Sequence, residues 1–305
     1  MDRPLRIGTR GSPLALAQAH MVAAALRAAH GWDEERIEIV PITTSGDRIQ
    51  DRPLSEVGGK ALWTKELDRC LMDGRTDMSV HSMKDVETIR PPELVIAAML
   101  VREDVCDRLI GAQSLAELPM GARVGTSSPR RSAQLLNRRP DLEIVPIRGN
   151  VQTRLAKLER GEADATLLAA AGLNRLGMEN IGALIRDMLP APSQGAIGIE
   201  VRADMREIMS LVGAIDHKPT HVCVLAERRL LAGLGGDCHS AVAALATIES
   251  GRIRLRAEIM TANGREVVRN EAEFAENDQD APGALARDLL GRASPALRAL
   301  FSGET

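Results

Sequence analysis

The chain has 305 residues, 44% hydrophobic and 27% charged, ordinary proportions for a globular protein of two or three domains. A net charge of −3 offers no basic field for nucleic acid, and Trp32, Trp63, Phe274 and Phe301 are too few aromatics for a base-stacking surface. The longest apolar run, LVIAAMLV at 94–101, is too short for a membrane span, and the start MDRPLRIGTR has no apolar signal region, so a cytoplasmic protein with neither membrane nor nucleic-acid partner is expected.

The first predicted element is the strand in RIGTR, which breaks before Ser12-Pro13. Serine at an N-cap followed by proline at the first helical position predicts a helix start. A strand follows in EIVPI at 38–42. KELDRCLMDG reads as a helix with Cys70 on its apolar side, and DGRTDMSV at 73–80 as a helix end, a glycine and the next strand. The same pieces then return in the same order: RVGTSSP at 123–129, EIVPI at 143–147 and RGEADATL at 160–167. Matching order predicts two related α/β lobes with mostly parallel sheets. Ligands of such sheets lie at the carboxyl ends of strands, where both Ser-Pro helix starts stand with free N–H groups. Two such lobes facing one another would make an anion-receptive cleft.

The copies differ at one place. Aligning Asp77 with Asp164 sets MSVHSMKD at 78–85 over ATLLAAAG at 165–172. Packing explains the second version. The first puts His81, Ser82, Lys84 and Asp85 at and beyond a strand end, where a carboxylate can move a proton or stabilise a developing cation. Taken alone, a solvated Lys-Asp turn is the simpler account. The second copy is instead rich in arginine: Arg130 and Arg131 in a first helical turn, where the helix dipole disfavours cations unless an anion is bound, then Arg148, Arg154 and Arg175. Arg10 belongs to the first copy. Guanidinium forks suit carboxylate and phosphate alike, so an anion with several charged groups is expected. Neither a GxxxxGK[ST] loop nor a GxGxxG is present.

GAIGIEVR at 195–202 reads as a strand returning to the first lobe. From about residue 216 the pattern changes. THVCVLAERRLLAGLGG predicts a helix with Thr220 as N-cap and a stop at Gly235-Gly236. Three strands with turns between them, then a final helical stretch, predict a small α+β domain with an antiparallel sheet. Cys238 lies on its helix-to-strand loop. No cysteine pair has CxxC spacing, and no disulfide framework is expected in a reducing compartment. A zinc site from His217, His221, Cys223, Cys238 and His239 lacks standard ligand spacing, so no metal is expected. Residue chemistry leaves Cys238 open between packing and covalent attachment.

VGGKALWTKEL, VHSMKDV, VGTSSPRR, IRGNVQTRL, AAAGLNRLG, SQGAIGIE and GGDCHSAVA together resemble the porphobilinogen deaminase family, in family order from residue 6 to about 245. The resemblance implies two periplasmic-binding-protein-like lobes and a third domain: residues 1–98 with 195–215, residues 99–194, and residues 216–305. It implies a monomeric transferase that joins four porphobilinogen molecules head to tail, with release of ammonia, to give hydroxymethylbilane. The primer is a dipyrromethane cofactor held by a thioether, and the matching position is Cys238. Asp85 would be the catalytic acid. Ser82, Lys84, Asp85, Thr126, Ser127, Ser128, Arg130, Arg131, Arg148, Gly149, Arg154 and Arg175 would hold cofactor and chain; Arg10, Ser12, Gln18, Gln194 and Lys60 would hold substrate. Trp63 stands where the family usually has phenylalanine, Glu87 replaces the usual proline, and Asp237 and His239 flank the cysteine differently from many members. The rivals are a non-catalytic two-lobe binder of a polycarboxylate, which leaves Asp85 unexplained, and a zinc hydrolase built on the third domain.

Overall fold

The structure, a computed structural model, describes residues 3–44, 63–236 and 240–301. The chain divides into two units, Met1–Glu103 with Gly195–His221, and Asp104–Gln194 with Val222–Thr305.

Unit 1 contains β1 (Leu5–Arg10), α1 (Pro13–His30), β2 (Ile37–Ile42), α2 (Lys65–Met72), β3 (Met78–Ser82), β4 (Leu94–Met99), β10 (Ile197–Arg202) and α6 (Arg206–Gly213). Its sheet has the order β2-β1-β3-β10-β4. Pairings β1–β2 and β1–β3 are parallel, and β10 is antiparallel to both its neighbours, so four strands share a direction and one opposes it. The returning strand expected at 195–202 is β10. The predicted helix start holds: Ser12 caps α1, its Oγ accepting from Ala15 N at 3.3 Å, with Pro13 in the first turn. Leu5, Ile7, Val22, Leu26, Met78, Val80, Ile197, Ile199 and Val201 form the core between sheet and helices. Burying each large aliphatic side chain contributes roughly 1.5–3 kcal/mol.

Unit 2 repeats the plan with β5 (Asp107–Ile110), β6 (Arg123–Gly125), α3 (Pro129–Arg138), β7 (Glu143–Val145), α4 (Val151–Glu159), β8 (Ala165–Ala169), α5 (Ala170–Arg175) and β9 (Ala183–Ile185). The order β7-β6-β8-β5-β9 matches that of unit 1 strand for strand, with β5 as the antiparallel member. Both antiparallel strands are the first strand after the chain passes from one unit to the other, which sequence pattern alone does not reveal. Ser128 caps α3 and Asn150 caps α4, accepting from Arg131 N at 3.4 Å and Thr153 N at 2.8 Å.

The same unit holds α7 (Lys218–Leu234, whose first turn belongs to unit 1), the antiparallel sheet β11 (Val242–Glu249), β12 (Arg252–Met260) and β13 (Val267–Phe274), then α8 (Ala281–Arg292) and α9 (Pro295–Ala299). This sheet has its own core of Leu230, Leu234, Leu255, Phe274, Leu289 and Phe301. Ala133 of α3 packs with Ala241, Ala243 and Met260, and Gln134 Nε2 donates to Glu258 at 3.0 Å, joining the two sheets of the unit. The expected N-cap at Thr220 is corrected: the helix begins at Lys218, three residues earlier than that cap implies, and His217 Nδ1 accepts from Thr220 N at 3.3 Å. An imidazole outside the usual capping set does the work, with Pro219 tolerated in the first turn.

Candidate functional site

In unit 1 a pocket opens at the carboxyl end of β3, lined by Arg10, Gln18, Trp63, Thr64, His81, Ser82 and Asp85 among others. β1 delivers Arg10 and α1 delivers Gln18. β3 ends at Ser82 and passes into the short 3-10 turn Met83–Asp85. Met83 is fully buried beneath that turn, against Gly198 of β10, where any Cβ would collide with its sulfur. The glycine thus lets the turn sit down on the sheet and fixes where half-buried Lys84 and Asp85 emerge. Buried Gln18 donates from Nε2 to Ser82 Oγ at 2.9 Å. The Arg10 guanidinium lies over the Trp63 ring, 3.9 Å from its centroid, a cation–π contact that holds it on the pocket wall. Ser12 spends its hydroxyl on the helix cap. Lys60 lies outside the described residues.

Behind the pocket runs an ionic network that sequence reasoning missed. Glu200 on β10 is wholly buried; His81 Nε2 lies 3.0 Å from its Oε2, and Arg90 donates to both its oxygens at 2.8 and 2.9 Å. Arg90 also donates to Glu87 at 2.6 Å, Asp68 at 2.6 Å and Thr64 Oγ1 at 3.3 Å. Burial would raise the Glu200 carboxyl, but His81 and Arg90 outweigh it and hold it down at about 2. Burial raises the Asp68 carboxyl above its ordinary value against the pull of Arg90.

In unit 2 the equivalent strand, β5, also carries a buried acid. Asp107 accepts from Arg130 Nη2 at 2.8 Å, Arg131 Nη2 at 2.7 Å and Gln194 Nε2 at 3.0 Å. Burial would raise its carboxyl; the two guanidiniums reverse that and hold it well below the usual carboxylate range. The anion expected at this helix start is therefore supplied by the protein. Arg130 and Arg131 are 3% and 5% exposed, buried on Asp107 rather than presented to solvent. Gln194, expected at the substrate, points its amide at Asp107 and at Val105 O, 2.7 Å away. Thr126 Oγ1 accepts from Ser128 N at 3.1 Å, and Ser127 Oγ donates to Ile147 O at 3.0 Å, so these hydroxyls shape the strand-to-helix turn.

Arg148, Arg154 and Arg175 are half-buried. Arg154 Nε donates to Gly149 O at 2.9 Å, and Gly149 sits at φ +113°, a conformation that favours glycine, with a Cβ excluded by Thr153. The signal for Glu200 and Asp107 was in the sequence: a lone acid inside an apolar strand must be paired if buried. Arg90, in ETIRPPE, looks like part of a solvated turn and gives no such sign.

Cys238, with Asp237 and His239, lies outside the described residues. Burial raises the Cys70 thiol, and burial with nearby Asp104 pushes Cys106 up to about 11, so neither favours thiolate. Cys223 is buried. Of the residues considered for zinc, His217 is hydrogen-bonded to Thr220 and His221 to Asp216, each at 2.8 Å. Among the described residues no helix is long and apolar enough to cross a membrane.

A family model described as porphobilinogen deaminase, dipyromethane cofactor binding domain, matches residues 5–210; another, porphobilinogen deaminase, C-terminal domain, matches residues 221–290. The chain is 58% identical over 309 residues to a porphobilinogen deaminase of Sphingopyxis alaskensis, covering 99% of this chain and 98% of the relative. It is 52% identical over 298 residues to that of Paracoccus denitrificans, covering 96% and 95%. Among solved structures, a TRAP periplasmic solute binding protein from Desulfovibrio salexigens is loosely similar, with a TM-score of 0.42 and 10% identity over 72% of this chain and 74% of that one.

Proposed function

The chain belongs to the porphobilinogen deaminase family, and on that premise we propose how its residues share the work. The enzyme joins four porphobilinogen molecules head to tail, releases ammonia at each joining and yields hydroxymethylbilane on a covalent dipyrromethane primer. When bound, the dipyrromethane supplies the free pyrrole α-carbon to which the first substrate is joined.

Unit 1 performs the proton chemistry. Arg10, Ser12 and Gln18, with Lys60, hold the incoming pyrrole by its acetate and propionate groups. Asp85 gives a proton to the leaving amine. As a carboxylate it then sits beside the cation that remains and takes the proton displaced when the new carbon–carbon bond forms. Lys84 and Ser82 orient the ring already joined.

Unit 2 holds carboxylates. Arg148, Arg154 and Arg175 bind the acetate and propionate groups of cofactor and chain. Arg130 and Arg131 set the positive field from behind with Asp107, and Gly149, Thr126, Ser127 and Ser128 present the backbone. The donor set fits such a group: Arg148, Arg154 and Arg175 are half-buried guanidiniums, whose forks match carboxylates. Cys238 is the thioether anchor, and the raised thiols of Cys70 and Cys106 support that choice. The same reading divides the chain into domains at 1–98 with 195–215, 99–194 and 216–305, and has it work in the cytoplasm as a monomer without nucleic acid or membrane. The net charge of −3 supports the nucleic-acid part.

The observation that carries this reading is the contrast at equivalent strand ends, Lys84-Asp85 after β3 against the apolar start of α5 after β8. Intact mass tests it. The purified protein should exceed its sequence mass by two linked pyrrole units, and Cys238→Ser should lose the excess together with product formation. An adduct mapped to Cys70, Cys106 or Cys223, or a full-length active protein without one, would overturn it.

A further inference from the structure

We propose that Arg90 is a positioning residue for the reaction: one guanidinium cross-ties Thr64, Asp68, Glu87 and Glu200, and so fixes the walls of the pocket that carry His81 and Asp85. The inference rests on the reading of that pocket as the reaction site.

Each tie ends at, or next to, a residue of the pocket. Thr64 lines it and follows Trp63, on which Arg10 is stacked. Glu87 comes two residues after Asp85, directly past the 3-10 turn. Glu200 holds the ring of His81 at 3.0 Å. Asp68 lies in the first turn of α2, so the wall of residues 63–64 is fixed to the helix behind it. The Arg90 side chain is 9% exposed, and its three acids are 0%, 18% and 24% exposed for Glu200, Asp68 and Glu87. Buried ion pairs add little net stability over apolar packing, whereas a planar fork with several fixed partners sets geometry. Glu87 gives Arg90 an arm just past the 3-10 turn, tying that turn to the sheet through Glu200.

The network also has a sign. One guanidinium faces three carboxylates, with His81 as the fourth titratable neighbour of Glu200, so the ground behind Asp85 leans negative. That suits a pocket in which ammonia leaves and a cation remains.

The test uses cofactor-loaded protein carrying Arg90→Leu or Arg90→Lys, with loading read by intact mass and folding by thermal melting. For Arg90→Leu, kcat per loaded molecule should fall about 10- to 100-fold with KM little changed, the penalty of a misplaced catalytic group. The acid limb of its kcat–pH profile should move to higher pH, because Glu200 loses Arg90 and keeps only His81, near Asp68 and Glu87. Arg90→Lys keeps the charge, so the acid limb should stay while kcat still falls, since a point ammonium cannot fork to three acids. A wild-type kcat and profile in folded, loaded Arg90→Leu would overturn the proposal, as would a loss of folded protein with normal kcat in what remains. If Arg90→Leu does not fold, Glu87→Leu removes one arm; unchanged kcat there overturns it equally. Asp85→Asn run in parallel separates the two readings. If it is active, the pocket is not the reaction site; if it is inactive while Arg90→Leu is normal, only Arg90 loses its role.

Discussion

The two α/β sheets share a strand order, and each carries a buried acid on its antiparallel strand, yet the acids are neutralised in opposite styles. Glu200 of β10 pairs in register with Ser79, within β3, meets the His81 imidazole and shares one guanidinium with two further acids. Asp107 of β5 pairs with Ala169, the last residue of β8, and receives two guanidiniums of its own. Unit 1 therefore has acid in surplus behind its pocket, and unit 2 has base in surplus at its helix start. One scaffold is thus charged differently in its two copies, in keeping with the proposed division of work.

The sharpest way to break the comparison is at Asp85, which has no counterpart in the other copy. Asp85→Asn keeps shape and loses both proton and charge, so single-turnover ammonia release from loaded protein should fall about 10²–10⁴-fold, with circular dichroism unchanged. Asp85→Glu should fall less. Release at the wild-type rate in Asp85→Asn would strip the first copy of its chemical role.

In the second copy the corresponding blow falls on stability and loading. Asp107→Asn leaves Arg130 and Arg131 buried without their counter-charge, which should destabilise the protein by about 3–5 kcal/mol in urea unfolding. Arg148→Leu, by contrast, should spare stability and cost on the order of 2–5 kcal/mol in holding cofactor or chain, visible as incomplete pyrrole adducts by intact mass. Normal adducts and turnover in Arg148→Leu would mean that the half-buried arginines do not read carboxylates.

Much of this plan could be read from the chain. Ser12-Pro13 and Ser128-Pro129 announce their helices because capping is local, and the paired motifs announce the duplication. The ion pairs could not be placed, because their partners are distant in sequence: Arg90 meets Glu200 across 110 positions, and Arg131 meets Asp107 across 24. Arg130 and Arg131 suggested an anion from their place in a first helical turn, but that Asp107 lies against them could not be read from the chain. The start of α7 was misplaced because His217 caps with a ring nitrogen, which no composition rule for N-caps favours.

Acid titration sharpens the contrast further. Glu200 is held at about 2 against an ordinary 4.5, so its stabilising ionisation is fully present above about pH 4.5 and is lost as pH falls toward 2. Asp107 is depressed further below its ordinary 3.8, so its contribution should persist to lower pH. Asp68, raised by burial, works in the opposite sense and is relieved by acid. Both tryptophans, Trp32 and Trp63, are in unit 1, so their fluorescence reports that unit alone while circular dichroism reports both. The fluorescence transition should come at higher pH than the last dichroism change; coincident transitions would mean that the two acid clusters do not titrate the units separately.

The smallest effect tests what the copies still share. Ser12 and Ser128 are equivalent N-caps, with Oγ accepting at 3.3 and 3.4 Å from the third residue on. Replacing either by alanine removes one acceptor from a helix start and should cost about 1 kcal/mol, whereas glycine should cost only a few tenths. The two alanine variants should therefore lose similar stability. Under the proposed division of work their functional losses should differ: Ser12→Ala should raise KM for porphobilinogen with adduct mass intact, and Ser128→Ala should weaken pyrrole loading with KM intact in the loaded fraction. The glycine variants separate the two contributions, since glycine spares most of the cap energy but still lacks the hydroxyl. If Ser12→Gly restores both stability and KM, the hydroxyl serves the helix only and substrate is held by Arg10 and Gln18. If stability returns and KM stays raised, the hydroxyl that caps the helix also meets the substrate, and the duplicated cap has been put to a different use in each copy.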